Sequence, residues 1–276
     1  MIPDTLAVTA RIYRQLLGDR RFLALALSVP LIVIYLFKVF IQTLPVSLFT
    51  DPEQLDILIT AFIVHFTSYV LCLIVIVRER REQTLERMFV NNYGRSEIVL
   101  GYLLGYAGLA TVQAVLIMAE VDCFFKLSYG ADLMLSIFAV IWTLSMISIA
   151  VGIMVSNLAR TEAQIFPFIP LFILPTIFCS GLLIPVAGLP VGIRWISYLM
   201  PLTYALKVLK PMIEELSSLQ AYTREFGVLI AYGVVLLGVS SLTLRQGVTA
   251  VQISVHDDVL IGGMPALNNS STLSCI

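Results

Sequence analysis

The sequence predicts an all-α membrane protein with six transmembrane helices. It also predicts an N-terminal amphipathic helix at the membrane interface, a cytoplasmic helix between spans 2 and 3, and outer re-entrant helices between spans 5 and 6. Of the 276 residues, 59% are hydrophobic and only 13% are charged, and the mean hydropathy is +0.94. A soluble domain has about 45–50% apolar and about 25% charged residues, so this chain lacks the polar residues that cover a globule in water.

The first helix of the chain is predicted from an amphipathic pattern at residues 8–17. A helix with one apolar arc and two arginines tends to lie in the membrane interface, although a short helix packed on its own protein has the same pattern. The two arrangements are compatible, and we assign residues 1–21 to this helix. Its apolar arc holds Val8, Ile12, Tyr13, Leu16 and Leu17, and the opposite arc holds Arg11, Arg14, Gln15 and Gly18.

Six apolar segments follow that are long enough to span, since a helix needs about 20 residues to cross the hydrocarbon. They lie near residues 22–41, 57–77, 98–119, 133–155, 165–186 and 226–244, and together define a transmembrane domain over residues 22–247. Residues 248–276 show no periodicity and are rich in Gly, Asn, Ser and Thr towards the end. We expect them to form a disordered cytoplasmic tail.

The distribution of basic residues predicts the orientation. With the N-terminus inside, 11 arginines and lysines fall on the cytoplasmic side and 6 on the other side. Cytoplasmic loops carry the excess of Lys and Arg, so both termini of this multi-pass protein are expected in the cytoplasm. The expected location is a prokaryotic cell membrane.

A charged segment at residues 77–105 separates the second span from the third and contains five arginines and four glutamates. Within it, Leu85, Met88 and Phe89 are spaced i, i+3, i+4 and therefore share one face of a helix. Such a helix is suited to pressing its apolar face into another protein. The alternative is a solvated arginine-rich loop that only fixes the topology.

Small residues indicate where helices approach closely. Gly101 and Gly105 form a G-x-x-x-G motif at the start of the third span, and Ser148, Gly152 and Ser156 repeat that spacing in the fourth. In lipid, such faces allow close backbone contact, so the spans are expected to form a bundle.

The fifth apolar segment is interrupted by three prolines, which predicts a kinked or broken helix. Residues 189–209 follow; they are too interrupted to span and too aromatic for a solvated loop. We expect short helices that dip into the outer leaflet, with aromatic side chains at the interface. The residues behind these expectations are Pro167, Pro170 and Pro175, then Pro190, Arg194, Trp195, Tyr198, Pro201 and Tyr204.

Several functional classes lack support in the sequence. The chain contains no G-x-x-x-x-G-K-[S/T], H-E-x-x-H or G-x-S-x-G motif, so neither a P-loop nor these hydrolytic sites are predicted. The four cysteines are scattered and indicate neither a disulfide framework nor a metal site, and the net charge of −1 gives no reason to expect a nucleic-acid partner. His65 in the second span is either a hydrogen-bonded bundle residue or a substrate or proton site.

Three motifs in the same order resemble the membrane subunits of ABC-2 type (type V) ABC exporters. The first motif consists of residues 78–88, which read RERREQTLERM, and residues 96–101, which read SEIVLG. The second motif is residues 156–164, which read SNLARTEAQ. The resemblance covers roughly residues 1–247, and Gln83 and the pair at 91–92 depart from the family pattern. The third motif consists of Cys179-Ser180-Gly181, Pro185, Leu189-Pro190, Ile196-Ser197 and a PLTY run from Pro201 to Tyr204.

The resemblance implies roles for the segments already described. The N-terminal helix with Arg11 and Arg14 is similar to the family's connecting helix. The helix over residues 79–89 would be the coupling helix that docks on an ATPase, and the outer re-entrant helices would close the translocation path. The coupling residues would be Glu79, Thr84, Leu85, Glu86, Met88 and Phe89, the outer-gate residues Pro185, Trp195, Pro201 and Tyr204, and the helix-packing residues Gly101 and Gly105.

The family resemblance also implies partners. This chain would bind no cofactor itself, because ATP and Mg would bind a separate P-loop ATPase subunit, and a second permease copy would complete a homodimer or heterodimer in membrane lipid. The implied function is ATP-driven export by alternating access. The alternatives are a secondary transporter or channel, for which paired broken helices would be expected, and a membrane enzyme. No residue selects among drugs, lipids, polysaccharides and ions as substrate.

Overall fold

The described chain is helical, with no strand among residues 2–43, 52–81, 84–91, 93–125, 129–157 and 162–261 of the computed structural model. Two 3₁₀ turns, Val186–Gly188 and Leu219–Tyr222, connect some of the later helices. The α-helices in chain order are α1 (Ile2–Gly18), α2 (Arg20–Thr43), α3 (Pro52–Arg81), α4 (Thr84–Val90), α5 (Arg95–Phe125), α6 (Ala131–Ser156), α7 (Glu162–Cys179), α8 (Val191–Leu199), α9 (Pro201–Glu214) and α10 (Thr223–Ile261).

Five stretches of the described helices are long and apolar enough to cross a membrane, where the sequence predicted six. The predicted span missing from these five is the fifth, at residues 165–186, which corresponds to α7; its apolar part, Ala163–Cys179, is shorter than the others. At about 1.5 Å per residue, these 17 residues reach about 26 Å, slightly less than the hydrocarbon thickness of about 30 Å. The five long candidates are Arg20–Phe40, Gln54–Glu79, Arg95–Cys123, Ala131–Ser156 and Leu219–Thr243.

The sequence predicted that this segment is kinked or broken; α7 runs without interruption through Pro167, Pro170 and Pro175, so it is not broken. Each proline removes one backbone hydrogen bond, but the bonds of the other residues keep the helix together. The chain instead turns just after the helix, at Gly181, where φ is +94° and glycine is the residue that adopts this conformation without strain. The predicted span at 165–186 therefore ends early, at Cys179.

The centre of the bundle is the contact between α3 and α6, the most extensive contact between two of the described helices. A Cβ atom at Gly152 would lie 2.9 Å from the carbonyl oxygen of Tyr69, so the two backbones approach as closely as the small-residue spacing predicts. The first half of α3 packs with α9 and α6, while its second half packs with α1, α4 and α5. The helices α1 and α9 therefore lie at opposite ends of α3.

The α10 helix extends further than the sequence suggested. It continues to Ile261, so the first part of the predicted disordered tail, residues 248–261, is helical in the structure. The physical reason is the absence of helix-breaking residues, since neither proline nor glycine occurs between Gly247 and Gly262. Residues 262–276 lie outside the described part of the chain.

Candidate functional site

The N-terminal helix α1 lies directly on α5. A Cβ atom at Gly101 would lie 2.6 Å from Cβ of Val8, and one at Gly105 would lie 2.6 Å from Cγ2 of Ile12. Gly108 continues the row under the ring of Tyr13. The G-x-x-x-G motif thus accommodates the amphipathic helix, whereas the sequence suggested contact between two spans.

The α1 helix has two apolar faces, although its pattern predicted a single apolar arc. Val8, Ile12 and Leu16 are buried against the bundle, but Leu17 of the same predicted arc is exposed, as is Leu6. The exposed apolar face is available to lipid, as expected of an interfacial helix, while the other face packs on the protein.

Arg11 joins α1 to α3 and α4. Its Nη2 atom lies 3.6 Å from Oε1 of Glu79, in the last turns of α3, and its Nη1 atom lies 3.6 Å from Sδ of Met88 on α4. Nη2 also lies 3.5 Å from Oε1 of Gln15. Glu79 is only 1% exposed and Arg11 is 35% exposed. Because a buried carboxylate loses its hydration, the guanidinium that faces it is needed to keep the charge favourable.

The burial of Met88 changes the expected surface of α4. The sequence placed Met88 on a face directed at a partner, whereas its side chain is 7% exposed and packs with Val8 and Ile12 inside this chain. Glu79 belongs to α3, and Thr84 begins α4. The side chains of Leu85, Glu86 and Phe89 lie outside the described residues. Among the described side chains of α4, Arg87 and Val90 are exposed, and Val90 is 84% exposed.

The turn between α4 and α5 is closed by local hydrogen bonds. The backbone N–H of Tyr93 donates to the carbonyl of Met88 at 3.1 Å, and the N–H of Gly94 donates to Oε2 of Glu97 at 2.7 Å. Glu97 is three residues after Gly94, the spacing of the glutamate in a capping box. Tyr93 and Gly94, which follow the position where the sequence departs from the family pattern, are therefore held between the end of α4 and the start of α5.

A second, more exposed ion pair supports the same end of the bundle. Nη1 of Arg78 lies 3.9 Å from Oδ2 of Asp19, and Oδ1 of Asp19 accepts the backbone N–H of Phe22 at 3.0 Å. Asp19 thus caps α2 and ties the corner between α1 and α2 to α3. We call the cluster formed by Arg11, Glu79, Met88, Arg78 and Asp19 the arginine junction.

Comparison with known proteins shows the family of the chain. A model of the ABC-2 type transporter family matches residues 3–211, which is more than half of the chain. The chain belongs to the ABC-2 type transporter family. The resemblance in the sequence is thereby confirmed, and together with the apolar helices it makes the chain a multi-pass membrane protein.

Relatives of this ABC-2 type chain include bacterial and eukaryotic proteins. The probable multidrug ABC transporter permease YbhR of Escherichia coli K12 is 26% identical over 163 residues, covering 59% of this chain and 42% of YbhR. ABC transporter G family member 20 of Dictyostelium discoideum is 27% identical over 129 residues, covering 47% and 18%. The linearmycin resistance permease protein LnrN of Bacillus subtilis is 22% identical over 170 residues, covering 62% and 44%. The chain thus spans less than half the length of these relatives.

At the opposite end of the ABC-2 bundle, α8 and α9 form the predicted short helices. Pro201 begins α9 and is buried, and Tyr204 donates its hydroxyl to the carbonyl of Tyr198 at 2.8 Å while its ring stacks on Tyr232 at 4.8 Å. Trp195 on α8 is 73% exposed, and Pro185 is exposed before the 3₁₀ turn. The region is therefore divided into a buried helix, α9, and an exposed apolar helix, α8.

A lysine ties α9 to the turn after α7. Nζ of Lys210 donates to the carbonyl oxygen of Gly181 at 2.5 Å. Burial lowers the pKa of the Lys210 ammonium, and the nearby Glu214 carboxylate opposes that shift. This lysine did not stand out in the sequence, because its partner is a backbone carbonyl 29 residues away.

The described residues hold no group of three His, Cys, Asp or Glu side chains placed to bind a metal ion. The histidine that the sequence singled out, His65, is buried in the middle of α3 and contacts Oγ of Ser148 through Nδ1 at 2.6 Å. It therefore makes the bundle hydrogen bond that one of the two interpretations predicted.

Proposed function

We propose that this chain is the permease subunit of an exporter driven by a separate ABC ATPase, which moves substrate out of the cytoplasm by alternating access. The observation that carries the proposal is the attachment of α4 to α1 and α3 through Arg11 and Met88. A helix held in this way moves together with the two helices it contacts. Force applied by an ATPase to the exposed side of α4, at Arg87 and Val90, would therefore reach the bundle.

The proposal includes six crossings, with α7 as the fifth, and both termini in the cytoplasm of a cell membrane. It also includes a second permease copy. The α2 and α7 helices expose large apolar side chains, among them Leu36, Phe166 and Leu171. A second bundle could cover these side chains, as could lipid. ATP and Mg would bind the partner ATPase. Alternating access requires only that nucleotide bind the two states of the complex with different affinity.

The alternative is a secondary transporter or channel that is not coupled to ATP. In that case α4 would need no protein partner, and a charged substitution on its exposed side would leave transport unchanged. The names of the bacterial relatives, a multidrug permease and a linearmycin resistance permease, favour an ATP-driven exporter of drug-like molecules for this chain.

Co-expression with each ABC ATPase subunit of the source genome tests the proposal. We expect one of them to co-purify with the chain in mild detergent and to hydrolyse ATP in the complex. Val90→Asp should weaken this association at least tenfold, because an acidic group would be desolvated in the contact, whereas the matched variant Val90→Leu should retain it. If no ATPase co-purifies with the wild-type chain, the ATP-independent alternative is favoured. If Val90→Asp binds normally, α4 does not dock through this side.

A further inference from the structure

The contact between α3 and α7 encloses polar side chains that the coupling mechanism does not use. His65, Ser68 and Tyr69 occupy neighbouring positions on α3 and are all buried. Nε2 of His65, Oγ of Ser68 and Oη of Tyr69 have no hydrogen-bond partner within the described part of the chain. Buried polar atoms are nearly always hydrogen-bonded, so three of them within two turns of one helix need an explanation.

The hydrogen bonds of Ser148 define the state of His65. The hydroxyl of Ser148 carries one proton, which it donates to the carbonyl of Leu144 at 2.6 Å. Its 2.6 Å contact with Nδ1 of His65 then requires Nδ1–H as the donor. In a neutral imidazole with its proton on Nδ1, Nε2 is a bare acceptor. It can therefore accept an N–H or O–H group from another molecule.

Phe172 of α7 covers this side of α3. Its ring centroid lies 4.5 Å from that of Tyr69, in a stacked arrangement, and 5.9 Å from that of His65. Phe172 lies between Pro170 and Pro175, which cannot donate to the carbonyls four residues before them. The helix that carries the cover is therefore easiest to bend at the cover itself.

We propose that His65, Ser68 and Tyr69 bind an uncharged, largely apolar molecule with a hydrogen-bond donor, and that Phe172 opens and closes this site. Nε2 of His65 accepts the donor of the molecule, and the rings of Tyr69 and Phe172 contact its flat apolar part. The bound molecule is the transported substrate, so this assignment of substrate class rests on the proposed function.

The surroundings exclude a charged ligand in this position. The site lies within an apolar cluster of α3, α6 and α7 that includes Leu73, Val151 and Phe168. A full charge would lose its hydration there without a described ion of opposite sign in the cluster, whereas a neutral N–H or O–H needs one acceptor. The site therefore selects for a neutral molecule with a donor over the same molecule without one.

A matched pair of fluorescent probes tests the hydrogen bond. The probes are N-phenyl-1-naphthylamine, which has one N–H group, and its N-methyl derivative, which has none. Both are titrated into nanodiscs that contain the full chain, with protein-free nanodiscs of the same lipid subtracted. We expect wild type to bind the N–H probe about fivefold more tightly, the effect of one neutral hydrogen bond. Equal binding of the two probes, or no binding of either, would overturn the proposal.

The variant His65→Asn isolates the acceptor. The asparagine amide can still donate to Ser148 in place of Nδ1–H, but it has no group at the position of Nε2. We expect it to lower the affinity of the N–H probe about fivefold, to the level of the N-methyl probe, and to leave the N-methyl probe unchanged. A purely structural role for His65 would reduce both affinities alike, and that result would contradict the site.

The cover is tested separately by kinetics. Phe172→Ala should increase the association rate of both probes while the preference for the N–H probe persists, because the cover is removed and the acceptor is not. Unchanged rates would contradict the role of Phe172. Co-purification of the ATPase is measured on the same variants and should match wild type. A complex that keeps its ATPase but shows no probe preference disproves this site alone, and a chain with probe preference but no ATPase disproves the exporter alone.

Discussion

Nη2 of Arg11 lies 3.6 Å from Oε1 of Glu79, so a residue of the N-terminal helix faces a buried carboxylate at the end of α3. The two residues are far apart in sequence and belong to segments of opposite character, an interfacial helix and a long apolar helix. Their contact lies next to Met88 of α4. Three helices thus meet at one guanidinium, and the first two predictions concern this arginine junction.

Removal of Arg11 should destabilise the chain because Glu79 stays buried. Breaking a fully buried pair costs about 3–5 kcal/mol, and the partial exposure of Arg11 reduces our expectation to about 1–3 kcal/mol. Thermal unfolding of Arg11→Ala in detergent measures this loss. Arg11→Ala combined with Glu79→Gln should recover most of it, because the second change removes the buried charge. Strictly additive losses would show that the two residues do not interact.

Truncation of Met88 should destabilise the chain in the absence of any ATPase. Met88→Ala is expected to cost about 2–4 kcal/mol through the lost contacts and the cavity, whereas Met88→Leu should cost less than about 1.5 kcal/mol. The exposed neighbour Val90 provides the control, and Val90→Ala should lie within about 0.5 kcal/mol of wild type. If Met88→Ala unfolded like wild type and only ATPase binding were lost, Met88 would be a docking residue after all.

The contact of α1 with α5 should be sensitive to the size of residue 105. A Cβ at Gly105 would meet Ile12 at 2.6 Å, so Gly105→Ala should displace α1 and increase hydrogen exchange along it. Combination with Ile12→Ala should restore part of the protection, since the opposing side chain is shortened. Gly238→Ala on α10 is the matched control, because nothing lies within 4 Å of its Cβ position. Equal exchange in Gly105→Ala and Gly238→Ala would contradict the close approach.

The orientation of the bundle can be tested with two single-cysteine chains. Cys123 is exposed at one end of α5, and Val90→Cys in a cysteine-free background places a thiol at the other end of the bundle. With the arginine-rich side in the cytoplasm, a membrane-impermeant maleimide should label Cys123 in intact cells and the Val90→Cys thiol only after permeabilisation. The reverse pattern would invert the topology.

The sequence predicted the elements of the fold better than their contacts. Hydropathy located the five long apolar helices and α7, because length and composition are local properties. It could not separate Ile12, which packs on α5, from Leu17, which is exposed, because lipid and protein interior are equally apolar. The same ambiguity assigned Met88 to a partner. The pairing of Arg11 with Glu79 depends on how distant segments meet, and no local pattern carries that information.

The fifth predicted span shows a different limit. Prolines in residues 167–175 predicted a kinked or broken helix, since a proline in a helix interior usually ends or kinks it. The helix continues in the structure, and the single glycine at 181 provides the turn. The number of prolines was therefore a weaker guide than the position of one residue that can adopt a positive φ.

The length of α10 has a mechanical consequence. Its candidate membrane span covers Leu219–Thr243, and the helix continues to Ile261, about 27 Å beyond Thr243 at 1.5 Å per residue. A continuous helix turns as one rod, so a tilt of roughly 10° within the membrane would displace Ile261 sideways by about 5 Å. Small rearrangements of the bundle would thus become larger displacements at the far end of α10, where a pair of distance labels would detect them most readily.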